Sequence, residues 1–362
     1  MRRLPLFAAA AALVLTACSG SGGVEATPTT TTTSTSTTST SSTTTSTSTT
    51  TTSTTTTTLP TGPPSPINGL PVAEEDAYLL ARRVLAVKVD NHPQARPQSG
   101  LQEADGVVEI IVEGGFTRLI ALFHHSDSEY VGPVRSVRPT DSAVLAPLGA
   151  TLAISGGQAW IAALANERGV PLIGEGFGGL FRVSHRRAPH NLYGDTMDLR
   201  AVADARGYED DFDGPLYEIG EWEEPEETAE TIDLDWALGH SVTWTYEDGR
   251  YLRFEGTSVH EWVDEAGERA QLAFDVLVVI EGHQYNARPA GAISGNSVPA
   301  VETLGTGRVL IFAQGRVMEG TWERDAVDEP YRFYDGEGNP AVVPPGIPWI
   351  CMFPQERTVD WS

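Results

Sequence analysis

Val107-Val108-Glu109-Ile110-Ile111-Val112-Glu113-Gly114-Gly115-Phe116-Thr117-Arg118 is the stretch that decides the fold. Its first seven residues are β-branched or aliphatic apart from two glutamates, which is the make-up of a buried strand. Gly114-Gly115 closes that run, and a second apolar run, Arg118 to Phe123, follows. The glycine pair favours a hairpin between the two. Upstream, Val84-Leu85-Ala86-Val87-Lys88-Val89 reads as a further buried strand ended by Asp90-Asn91-His92-Pro93. Thr151-Leu152-Ala153-Ile154 is a fourth, ending at Ser155-Gly156-Gly157, and Gln158 to Arg168 reads as a helix.

These elements predict an α/β (α+β) N-terminal domain with a mixed sheet over 66–210, and a mostly-β C-terminal domain over 235–362. The later strands are Val242–Tyr246, Tyr251–Phe254, Phe274–Ile280, Val309–Phe312, Arg316–Trp322 and Trp349–Phe353. Glu247-Asp248-Gly249-Arg250 and Gln314-Gly315 read as hairpin turns. From Ala201 to Glu230 there are twelve Asp or Glu against one Arg. So one-sided a run marks 211–234 as an acidic linker or exposed face and places the domain boundary there. No repeat recurs at a fixed period.

The N-terminus gives an address. Arg2 and Arg3 precede the apolar run Leu4 to Leu15, then Leu15-Thr16-Ala17-Cys18. A short basic flank, a short apolar core and small residues before a cut describe a signal peptide over 1–17. The run is too short to span a bilayer. The tetrapeptide resembles a bacterial lipobox, which predicts lipidation of Cys18 and attachment to the outer face of the cell membrane. Residues 18–65 then form a stalk, because Thr27 to Leu59 is nearly all Thr and Ser and buries no core. Its roughly 33 residues reach at most about 110–120 Å. A plain tether and an O-glycosylated one fit that composition equally.

The formal charge is −25, and losing Arg2 and Arg3 takes it to about −27. Such an acidic chain is not built for nucleic acid. With Cys18 lipidated, Cys351 has no intramolecular partner, and its apolar surroundings mark it as a buried small residue. Nothing indicates a cofactor. Gly-x-Ser-x-Gly and HExxH are absent, and His124-His125 diverge on a strand, so neither a hydrolase elbow nor a metal site is expected. Trp244, Trp262, Trp322 and Trp349 are read as core.

The polar residues that could carry chemistry cluster at strand ends: Asp90, Asn91, His92 and Arg96 after the first strand, Glu109 and Glu113 on the second. Period-two geometry puts the two glutamates on one face. Two carboxylates there need cationic partners, for which Arg118, Arg135 and Arg138 are candidates. Gly132-Pro133-Val134-Arg135-Ser136-Val137-Arg138-Pro139 sets two arginines between prolines, and Arg187, His190 and Asn191 follow later.

Val87-Lys88-Val89-Asp90-Asn91-His92-Pro93-Gln94-Ala95-Arg96-Pro97-Gln98-Ser99-Gly100-Leu101 closely resembles the signature of the DUF3048 family of bacterial lipoproteins. So do Val112 to Arg118, Gly132 to Ser136 and Ala188-Pro189-His190-Asn191-Leu192-Tyr193, with looser C-terminal likeness at Val317 to Trp322 and Pro345 to Ile350. The resemblance implies a two-domain envelope lipoprotein and no reaction. Three functions stay open. The first is a tethered module that binds an anionic or glycan envelope component (a cell-wall polymer or peptidoglycan fragment) or an envelope protein. The second is a hydrolase or transferase with a carboxylate–histidine pair. The third is a scaffold whose charges only stabilise the fold.

Overall fold

The computed structural model describes residues 61–209, 211–289 and 297–362. The expected signal peptide, Cys18 and the Thr/Ser tract lie outside the described residues. Among those described, no helix is long and apolar enough to cross a membrane.

The hairpin forms as read. Strands β1 (Leu85–Asp90), β2 (Gly106–Ile111) and β3 (Thr117–Phe123) lie side by side, with β3 antiparallel to both neighbours. Gly114 and Gly115 both sit at φ +76° in the connection, a conformation that a side chain makes costly. Helix α1 (Pro139–Leu145) leads to β4 (Thr151–Ile154), parallel to β1, and α2 (Ala159–Glu167) leads to β5 (Leu172–Gly174). A short hairpin, β6 (Leu180–Arg182) with β7 (Leu192–Gly194), and α3 (Thr196–Ala205) complete this part.

The sheet does not stop at the acidic stretch. Pro348–Pro354 runs parallel beside β2, with Val107 opposite Trp349 and Glu109 opposite Cys351. Beyond it come Val276–Gly282, Gly305–Ala313, Arg316–Arg324, Arg332–Asp335 and Pro340–Ala341, so one mixed sheet of eleven strands draws on both halves of the sequence. The acidic stretch lies along the C-terminal strands through bridges from Tyr217 to Tyr331, Ile219 to Val343 and Thr228 to Arg316. Its Leu216 and Tyr217 are buried and most of its carboxylates are exposed.

A second, six-stranded sheet includes β8 (Thr231–Ala237), β9 (His240–Glu247) and β10 (Arg250–Glu255). Asp248-Gly249 turns β9 into β10 at φ +49° and +87°, as the turn residues predict. The two faces of the large sheet are covered differently. Leu85, Val87, Val89, Val107 and Leu119 pack with Trp236, Trp244, Phe274 and Trp349 on the side of the second sheet. Ala86, Val108, Ile120 and Leu152 pack with Val144, Leu145 and Ile161 of α1 and α2 on the other. With both faces covered, β1 to β4 are buried along their whole length, which is why they read as unbroken apolar runs.

Candidate functional site

Two polar clusters interrupt these cores, one on each face of the sheet. The first gathers at the end of β1 on the helical face. Asp90 is the register partner of Arg118 on β3. Its carboxylate lies 2.9 Å from Arg135 Nε and 2.7 Å from His190 Nδ1, and Oδ1 accepts the His92 backbone N–H. The His92 ring stacks on His190 with centroids 5.2 Å apart and planes 20° apart. Arg138, just before α1, donates from Nε and Nη2 to Glu113 Oε2 at 2.9 and 2.8 Å. Asp141 fixes the start of α1 by accepting the Arg138 backbone N–H, and its other oxygen receives Lys88 Nζ at 2.8 Å.

This cluster is cationic in a strongly acidic protein. Arg118 is only 8% exposed and donates to the Ser136 carbonyl at 2.8 Å. Among the described residues no carboxylate lies within ion-pair distance of it. Burial, then the charge of Arg138, pushes its guanidinium down to about 10, against the pull of Asp90. Burial likewise takes Lys88 to about 8 despite Asp141, with Arg118 and Arg138 adding to the fall. For Glu113 burial works upward, but the hydrogen bond from Arg138, a backbone hydrogen bond and the charges of Arg138 and Arg118 together hold the carboxyl below its ordinary value. Ser136 and Ser155 approach to 3.5 Å between their hydroxyls at the same rim.

The second cluster is sealed between the two sheets. Glu109 and Arg253 are fully buried and meet twice, with Arg253 Nη2 at 2.9 and 3.1 Å from the two oxygens of Glu109. Trp349 Nε1 at 2.8 Å and Thr117 Oγ1 at 2.6 Å complete the carboxylate's shell. Arg253 also donates to Glu255 Oε1 and to His260 Nδ1, which leaves the His260 proton on Nε2, 2.7 Å from Gln98 Oε1. Burial and then Arg253 press His260 well below its ordinary value. For Glu255 burial works upward, yet Arg253, His240 and Arg96 together hold it far below the usual carboxylate range. Arg96 pairs with Glu255 at 2.9 Å and donates to Asn91 Oδ1, while Asn91 Nδ2 reaches Thr117 and Glu255.

The expected site residues therefore divide. Asp90, His92, Glu113, Arg118, Arg135, Ser136, Arg138 and His190 converge. Glu109, Asn91 and Arg96 belong to the sealed network instead. The expectation that Glu109 and Glu113 share a face fails because β2 ends at Ile111, and a 3-10 turn over Glu113–Gly115 swings Glu113 to the helical side. The cation that meets Glu109 is Arg253, not Arg118, Arg135 or Arg138. Asn191 is held within its own hairpin by Arg182 and Val183. Arg187 is exposed and makes no ion pair among the described residues. Its neighbour Arg186 instead ties the hairpin to the Ala95 and Pro97 carbonyls at 2.7 and 2.8 Å. The sequence did carry a signal for Arg253: it stands two residues from the buried Tyr251 on β10, and period two points it inward.

Comparison with known proteins fits this architecture. Residues 68–209 match the family model described as the N-terminal domain of a protein of unknown function (DUF3048), and residues 232–350 match its C-terminal domain. "Putative lipoprotein YerB" of Bacillus subtilis (strain 168) is 27% identical over 299 residues, covering 80% of this chain and 86% of the relative. The crystal structure of YerB protein from Bacillus subtilis superposes with a TM-score of 0.68 at 23% identity, over 82% of this chain and 99% of that one. With both of its domains matched in order, the chain belongs to the DUF3048 family.

Proposed function

We propose that the protein is an envelope lipoprotein, anchored through Cys18, whose folded part binds an anionic wall component. The relative's name as a lipoprotein and the Leu15-Thr16-Ala17-Cys18 tetrapeptide support the anchor. One observation carries the binding reading: Arg118 is almost buried, is pressed by neighbouring cations, and has no carboxylate within ion-pair distance among the described residues. A buried cation without a counter-charge is costly, and an incoming phosphate or carboxylate relieves that cost while taking the guanidinium fork bidentately. Arg135 and Arg138, already braced by Asp90 and Glu113, hold further guanidinium groups beside it. The net negative charge repels the folded part from an anionic lipid surface.

The test is retention of purified wall fragments by the wild type and by Arg118→Gln. The wild type is expected to retain anionic fragments in a salt-sensitive way, with at least about tenfold less bound by the variant. Equal retention by a folded variant would reject the reading.

A further inference from the structure

We propose that the site also turns over its ligand, with His190 as general base and a phosphodiester as the substrate class; this rests on the anion-binding reading above. Asp90 Oδ2 accepts from His190 Nδ1 at 2.7 Å, so the imidazole proton sits on Nδ1 and Nε2 is left as the acceptor. Nε2 has no protein partner among the described residues, although His190 is only 9% exposed. The ring is held from several sides. Asp90 is fixed by Arg135 and by the His92 backbone N–H, the His190 N–H donates to the Arg187 carbonyl at 3.0 Å, and His92 stacks on the imidazole. A carboxylate that fixes the tautomer of a histidine, whose far nitrogen is free, is the arrangement that proton abstraction requires.

The surrounding cations select the substrate. A carboxylate is satisfied by one guanidinium fork. A phosphoryl group in transfer spreads its charge over three equatorial oxygens and gains from several. Arg118 and His190 both flank Asp90, and Arg135 shares its Oδ2. His92 accepts the Gln94 backbone N–H at Nδ1, which leaves its own proton on Nε2 as a further donor. In the step, a water molecule gives a proton to His190 Nε2 as its oxygen bonds to phosphorus. The bond from phosphorus to the leaving oxygen breaks, and that oxygen takes the proton back from His190. The products are an alcohol and a phosphomonoester that keeps the second proton of the water.

The experiment uses the full chain in detergent with bis(4-nitrophenyl) phosphate, read by release of 4-nitrophenolate. Inorganic phosphate binding is measured alongside by calorimetry. The wild type is expected to turn over. His190→Gln and His190→Asn should each lose about a hundredfold to ten-thousandfold in rate, with phosphate affinity within about twofold and an unchanged urea midpoint. Absence of wild-type turnover, or either folded variant working at the wild-type rate, overturns the proposal. If phosphate still binds in those cases, the anion site stands without catalysis; if the wild type binds no phosphate, both readings fall.

Discussion

The two polar clusters lie on opposite faces of the same strands and obey opposite rules. Between the sheets, Glu109 and Arg253 are matched in charge and hydrogen-bonded, and water is excluded. On the helical face, cations are held together, and the buried Arg118 has no carboxylate within ion-pair distance among the described residues. The first arrangement costs desolvation that its own pairing must offset, and it ties the C-terminal strands to the loop after β1. The second leaves an electrostatic demand that the protein itself does not meet. Arg253 and Arg118 are both buried arginines, so burial alone does not tell a structural ion pair from a binding site. What distinguishes them is whether the counter-charge belongs to the fold.

The largest expected effect comes from breaking the sealed network. Glu109→Ala leaves Arg253 charged and buried without one of its two carboxylate partners, and should cost about 3–5 kcal/mol in urea unfolding. The double change Glu109→Leu with Arg253→Met should recover at least half of that, since it removes both charges together. A double variant no more stable than the single one would mean that the network matters through its hydrogen bonds to Gln98 and Asn91. The open cluster should behave in reverse. Arg118→Gln is expected to lower inorganic phosphate affinity about 10- to 100-fold, while its urea midpoint stays level or rises because an unpaired buried cation is gone. Loss of stability in that variant would place Arg118 with the structural charges.

A smaller effect is the pH dependence of stability. His124 is buried against Asp105 and Phe212, and burial, despite Asp105, lowers it to about 4; His260 is pressed down as well. Between about 6.5 and 4 the unfolded chain therefore binds protons that the folded chain refuses. Stability from these neutral histidines is present above about pH 6.5 and is lost as pH falls through that window. His240 has the opposite sign. Burial lowers its pKa but the Glu255 hydrogen bond and charge raise it overall, so its contribution is present below about 6.5 and fades above its folded value. Urea midpoints at pH 7.5, 5.5 and 4.5 should fall with acid, and His124→Gln should flatten the fall. The smallest effect is chemical. Cys351 pairs in register with Glu109, and burial first, then the Glu109 charge, holds its thiol well above its ordinary value. Thiol labelling of Cys351 should be slow in the native protein and faster in Glu109→Ala, reporting the opening of that face.

Much of the fold was legible because its rules are local. Four buried strands, the Gly114-Gly115 hairpin and the turns at Asp248-Gly249 and Gln314-Gly315 follow from apolar runs and from residues that tolerate positive φ. The polar residues near strand ends were legible too, but their faces were not. Period two holds only while a strand lasts, and β2 stops two residues before Glu113. The partner of Glu109 stands 144 positions away on β10, and no spacing reveals such a pairing.

The strands, their turns and the polar candidates follow from the sequence alone, since each depends on neighbours within a few residues. Only the tertiary structure decided that the halves share one sheet, that Glu109 is sealed with Arg253, and that Asp90, His190 and Arg118 stand together. Those are choices of sheet order and strand length, made by burying two cores at once.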